Sequence, residues 1–206
     1  MSAAAPSPGP PPTAPRGRPR SESARRAVLE SALRLCQQEG YQHLTIKGIA
    51  DAAGVGRQTV YRWWPAKTDV LLEALRALAE VEEARLRPDT GDTLTDVERL
   101  LDATFTLTRG TTGHALVGLM ADAQADGELA EKLQGTVIGP RRDALRAILE
   151  RGVSRGELAP RMPLDLAVDF AFGTMWYRLL SRHAPVDGAL ARQITEVLRT
   201  MLSVER

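Results

Sequence analysis

The sequence predicts an all-α chain: an amino-terminal three-helix module followed by a larger helical body. Three observations carry this. Apolar residues recur at three- and four-residue spacing from Val28 to Leu202, and no stretch alternates as a strand would. A glycine-containing break, Ala53-Gly54-Val55, joins two short helical segments at a sharp turn. The charge is also divided. Residues 1–67 hold ten Lys or Arg against four Asp or Glu (+6), and the remainder holds seventeen against twenty-two (−5), which the formal net charge of +1 conceals. A basic third joined to a mildly acidic body is the footprint of one part that meets phosphates and one that does not.

Residues 1–20 form the first segment. MSAAAPSPGPPPTAP is rich in Pro and small residues, lacks the apolar core of a secretory signal and is expected to be disordered. PRGRPR follows at residues 15–20. Gly17 and Pro19 oppose a regular helix, so Arg16, Arg18 and Arg20 are expected on an extended arm that fits an A·T-rich minor groove. The segment resembles the AT-hook core; a charged solubilising linker is the alternative. The next helix places Val28, Ala32 and Cys36 on one face. As the single cysteine, Cys36 excludes an internal disulfide and reads as a buried core thiol.

Residues 45–67, TIKGIADAAGVGRQTVYRWWPAK, complete the module of residues 21–67. Thr45 suits an N-cap, Ile46, Ile49 and Ala50 form an apolar stripe, and Gly54 suits a left-handed helix end. On the second short helix Val60 and Trp64 share the inner face. Arg57, Gln58, Thr59, Tyr61 and Arg62 are available to face outward. Arg pairs with both acceptors of guanine and Gln does the same with adenine. Thr59, Tyr61 and Lys67 carry donors of the kind that meet phosphates, and Lys47 belongs to the same DNA-binding set. This is the helix-turn-helix pattern, whose second helix enters the major groove; a plain helical hairpin with a polar face is the alternative.

The stretch GYQHLTIKGIADAAGVGRQTVYRWWPAKTDVLLEAL, residues 40–75, resembles the TetR family of bacterial transcriptional regulators. The order that carries the resemblance is Gly-aromatic, Leu-Thr, an Ile-Ala helix, Ala-Gly-Val, Thr-x-Tyr, a bulky pair, Lys and then an apolar helix. It is specific over residues 21–75 and looser over AEKLQGTVIGPRRDALRAILERGVSRGELAP. The resemblance implies DNA contacts from Thr45, Arg57, Gln58, Thr59, Tyr61, Trp63 and Lys67. Trp63 and Trp64 stand where the family commonly has His-Phe, with Trp64 the core member.

The body, residues 68–206, is read as helices throughout. One runs from about residue 66 to 87 and ends at Pro88; the next carries Leu94, Val97, Leu100, Leu101, Thr104, Phe105 and Thr108. Residues 109–113 are expected as a loop, 128–138 as a helix, and Gly139-Pro140 as an interruption before Leu145, Ile148, Leu149 and Val153. Residues 164–182 are apolar nearly all round, and residues 189–204 carry one apolar stripe. A helix apolar on every side must be buried on every side. A homodimer is therefore expected through Phe172, Leu179, Leu190, Ile194, Val197, Leu198 and Met201, with a single monomeric core as the alternative. A two-fold dimer sets two recognition helices about one DNA turn (~34 Å) or a multiple apart.

An apolar small-molecule pocket is expected from Phe105, His114, Met120, Phe170, Phe172, Met175, Trp176 and Tyr177, each of which also suits ordinary core. Nearby Asp102, Asp122 and Asp169 favour a neutral or cationic lipophilic effector. The expected mechanism is repression by occupancy of a palindromic operator, with the effector selecting a conformation that no longer fits it. No cofactor or metal is expected: His43, His114 and His183 lack metal-type spacing, and HExxH, GxSxG and phosphate-loop motifs are absent. An enzyme is disfavoured on the same ground. A helical protein–protein scaffold is the remaining rival. No apolar run reaches the ~18 residues of a membrane span, which places the chain in the cytoplasm near the chromosome.

Overall fold

The computed structural model describes residues 18–159 and 162–202, which form helices with no strand among them. The module comprises α1 (Arg18–Glu39), a 3-10 turn (Tyr41–His43), α2 (Ile46–Ala53) and α3 (Arg57–Trp63). The body follows as α4 (Lys67–Val81), α5 (Glu83–Leu86), α6 (Thr93–Leu107), α7 (Gly113–Ala123), α8 (Gly127–Leu133), α9 (Gly139–Ser154), α10 (Leu164–Ser181) and α11 (Gly188–Met201).

Several boundaries differ from the sequence expectation, each for a local reason. α1 begins at Arg18, so the backbone of Arg18 and Arg20 is helical rather than on an extended arm. Pro19 lies in the first turn, where its missing N–H has no helical partner to lose. Arg16 and the Pro-rich tail lie outside the described residues. The long helix expected over residues 66–87 divides at Glu82 (φ −93°, ψ 10°), leaving α5 as a single turn.

The expected loop at residues 109–113 is instead a π-helical turn, Thr108–Thr112, that joins α6 to α7. A second π turn, Gln134–Ile138, joins α8 to α9, so Gly139-Pro140 continues a helical path. Both turns end at a glycine. A Cβ on Gly113 or Gly139 would crowd the carbonyl oxygen five residues back, Thr108 or Gln134. The wider turn brings that carbonyl inward, and only glycine leaves it room.

Two apolar cores result. The first gathers Val28, Ile49, Val60 and Leu71 from α1 to α4 with Leu119 of α7 and Leu133 of α8. The second gathers Leu101 and Phe105 of α6, Leu149 of α9, Val168 of α10, and Leu190 and Leu198 of α11. Trp176 packs against both. The amino-terminal module therefore shares its core with three helices of the body, α4, α7 and α8.

This packing revises the expected dimer face. Leu190, Ile194 and Leu198 are 2% exposed or less, because the apolar stripe of α11 packs within its own protomer, on α6. Phe172 is buried as well, and Leu179 and Met201 are half-buried against the second core. The outward row is different: Leu166, Phe170, Tyr177 and Leu180 on α10, with Val197 on α11, all exposed large apolar side chains. The all-round apolarity of α10 thus divides into an inner face and an exposed outer one.

Candidate nucleic-acid interface and effector cavity

The helix-turn-helix is fixed by backbone devices. The Thr45 hydroxyl oxygen accepts from the Gly48 N–H at 3.0 Å and caps α2. Gly54 is left-handed (φ 65°), which lets the Val55 N–H reach back to the Ala50 carbonyl at 3.0 Å. That bond closes the helix end and turns Val55 into the core. α3 then lies with Val60 (0% exposed) and Trp64 (3%) inward. Arg57, Gln58 and Arg62 are exposed, and Tyr61 is half out. Lys47 on α2 and the Thr45 side chain are exposed beside them.

Three of the expected contact residues have double duties. Thr59 is half-buried. Trp63 is half-buried against the first core and meets Trp64 edge-on, with ring centroids 5.5 Å apart. The Lys67 ammonium donates to the Tyr41 carbonyl at 3.0 Å and sits 4.1 Å from the Tyr41 ring. An ammonium carries three protons, so two remain for a phosphate.

The inner end of α3 is tied to α1 and α4. The Trp64 indole N–H donates to Glu73 at 2.8 Å, the Arg25 Nε donates to the same carboxylate at 2.7 Å, and the Arg25 guanidinium lies 4.6 Å from the Trp64 ring. Burial acts to raise the Glu73 pKa. The hydrogen bonds from Arg25 and Trp64 and the Arg25 charge outweigh it, so this carboxyl stays below the usual range.

Tyr41 ties the module to the body. Its hydroxyl donates to Asp122 of α7, and its ring lies so close to Gly118 that a Cβ there would overlap it. Burial, with the Asp122 hydrogen bond and charge, pushes the Tyr41 phenol pKa up. His114 Nδ1 lies 3.3 Å from the Cys36 carbonyl, a second link from α7 to α1. Cys36 is buried, and that burial pushes its thiol up to about 11, an inert core thiol.

The opposite side of α7 lines a cavity of ≈ 440 Å³ between α4, the two π turns, α9 and α10. Of the expected lining, Met120, Phe172, Met175 and Trp176 are there. Phe105 is not: it is fully buried in the second core. His114 faces a separate groove, and Phe170 and Tyr177 point outward from α10. The sequence reading missed Leu75 and Leu78 of α4, the row Thr104, Thr108 and Thr112, and Arg141. The four-residue threonine spacing in TFTLTRGTT was the available signal. The expected acidic bias is also revised: Asp122 is engaged by Tyr41, Asp169 pairs with Arg142, and Asp102 lies off the cavity wall.

An outward polar row on α3, set by the Thr45-capped α2 and the Gly54 turn, in a chain that also holds an apolar cavity, is the arrangement of a helix-turn-helix regulator of transcription. The comparisons give the family. Residues 28–74 match the bacterial regulatory proteins of the tetR family, and residues 87–198 match the tetracyclin repressor-like C-terminal domain. The chain belongs to the TetR family of transcriptional regulators. It is 29% identical over 179 residues to the uncharacterized HTH-type transcriptional regulator YdeS of Bacillus subtilis (strain 168), covering 87% of this chain and 89% of that one. The crystal structure of the TetR family transcription regulator SCO0332 superposes with a TM-score of 0.69 at 29% identity, over 88% of this chain and all of that one. The transcriptional regulator FadR from Bacillus subtilis, solved with stearoyl-CoA, shares the fold (TM-score 0.69, 21% identity, 86% and 98% coverage).

Proposed function

We propose that this chain acts in the cytoplasm as a homodimeric repressor that occupies a palindromic operator and answers to a small molecule held in the α7 cavity. It works by binding alone, without catalysis. The observation that carries this reading is the double role of α7. Its Leu116 and Met120 line the cavity, while Gly118 and Asp122 hold Tyr41 of the DNA-binding module. A ligand with different affinity for two positions of α7 shifts the module with it, and DNA with it. Arg57 and Gln58 are assigned to base edges, and Thr45, Lys47, Tyr61 and Lys67 to phosphates. The outer row of α10 with Val197 is assigned to the two-fold interface.

Selection from a random duplex library with the purified full chain tests the reading. An enriched inverted repeat is expected. Retention without any motif would reduce the module to a non-specific binder, and no retention would favour a helical scaffold.

A further inference from the structure

The cavity carries one charge that no described residue neutralises. Three charged residues line it: Arg141 and Arg142 in the first turn of α9, and Asp169 of α10. Arg142 is paired with Asp169. Arg141 is half-buried and, among the described residues, has neither a carboxylate nor a hydrogen-bond partner. Burial and the nearby Arg87 charge both act to lower its pKa, the direction expected where negative charge is wanting.

The rest of the wall does not call for a cation. The hydroxyls of Thr104, Thr108 and Thr112 donate to the carbonyls of Leu100, Thr104 and Leu107. Their protons are spent, so they add only weak dipoles. Leu75, Leu78, Leu116 and Ile138 supply apolar surface. A half-buried guanidinium without a counter-charge keeps an incomplete hydration shell and gains most from an anion delivered dry.

We infer that the effector is an amphipathic anion, with its hydrocarbon part in the cavity and a carboxylate or phosphate head on Arg141. This inference rests on the cavity's being the effector site, as proposed above. It replaces the neutral or cationic effector that the acidic residues suggested from sequence.

The test uses the full chain and four ten-carbon probes below their micelle-forming concentrations: decanoate, decyl phosphate, decanol and decyltrimethylammonium. Affinities are read by calorimetry for the natural chain and for Arg141→Gln, whose thermal unfolding is checked in parallel. An anionic probe is expected to bind about tenfold more tightly than decanol, the scale of one charge-assisted hydrogen-bond pair. Arg141→Gln should remove that preference and leave decanol within about twofold. Preference for decanoate over decyl phosphate, or the reverse, assigns the head to carboxylates or to phosphate esters. Equal binding of decanol, tighter binding of decyltrimethylammonium, or an unchanged preference in Arg141→Gln overturns the anionic head and leaves the cavity as a ligand site. Failure of all four to bind overturns the inference too. A Leu116→Trp chain, whose cavity is filled, separates the two levels: decanol binding that survives it places the ligand elsewhere and removes the cavity reading itself.

Discussion

At the scale of single residues, exposure separates the side chains that read bases from those that fix position. Arg57 and Gln58 stand clear of the core, so truncating either leaves the fold intact. Arg57→Ala or Gln58→Ala should cost ~1–3 kcal/mol on the selected operator and relax preference at one or two base pairs. Competition binding against single-base operator variants reads this directly; a uniform loss on every variant would reassign both residues to the backbone. Lys47→Ala should instead weaken all sequences alike and lower the salt slope by about one. Lys67 belongs to both worlds. Its ammonium is anchored to the Tyr41 carbonyl and ring, so Lys67→Ala should lower the melting temperature as well as DNA affinity, whereas Lys47→Ala should lower affinity alone.

At the scale of elements, α10 and α11 show how a helix is divided between a core and a partner. Leu198 is fully buried and Tyr177 is 66% exposed. Leu198→Asp should unfold the protomer, since an unpaired buried carboxylate costs several kcal/mol. Tyr177→Asp should leave the melting of the monomer unchanged and shift the chain from dimer to monomer, as read by light scattering across a dilution series. A monomer in both the natural chain and the variant would remove the α10 face from the interface. The turn between α2 and α3 gives a third case. Gly54 holds φ 65° with open space around it, so Gly54→Ala should cost ~1–2 kcal/mol from backbone strain alone. Urea unfolding measures it.

At the scale of the whole molecule, the module and body meet through a shared apolar core and a few polar ties, and two groups at that seam are open to test. Gly118→Ala forces a methyl group into the Tyr41 ring. Overpacking of this kind costs ~1–3 kcal/mol, and here it presses on the contact through which α7 holds the module. The variant should respond less to any cavity ligand in an operator-release assay, with its direct ligand affinity retained. Glu73 supplies a pH signature. Its folded pKa lies below the ordinary 4.5, so the Arg25–Glu73–Trp64 network stabilises fully above that value and is lost as the pH falls below it through the lowered one. Thermal melts should show the natural chain ahead of Glu73→Gln at neutral pH, with the gap narrowing only under acid. A gap that persists unchanged at the lowest pH would mean that the carboxylate charge is not its source.

The helical class, the capped Thr45 turn, the left-handed Gly54 and the inward Val60 and Trp64 were all legible in the residues alone. These rest on contacts within a few residues, which spacing and residue type specify. Which faces meet depends on how the helices pack, and the residues do not encode it locally. The stripe of Leu190, Ile194 and Leu198 is equally suited to a partner or to its own protomer, and only the position of α6 sends it inward. Phe105 and Phe170 look alike as candidates for a pocket, yet one is sealed in core and the other faces outward. Arg141 carries no local mark at all. Its significance comes from the absence, among the described residues, of a carboxylate beside it in space, and periodicity cannot report a missing neighbour.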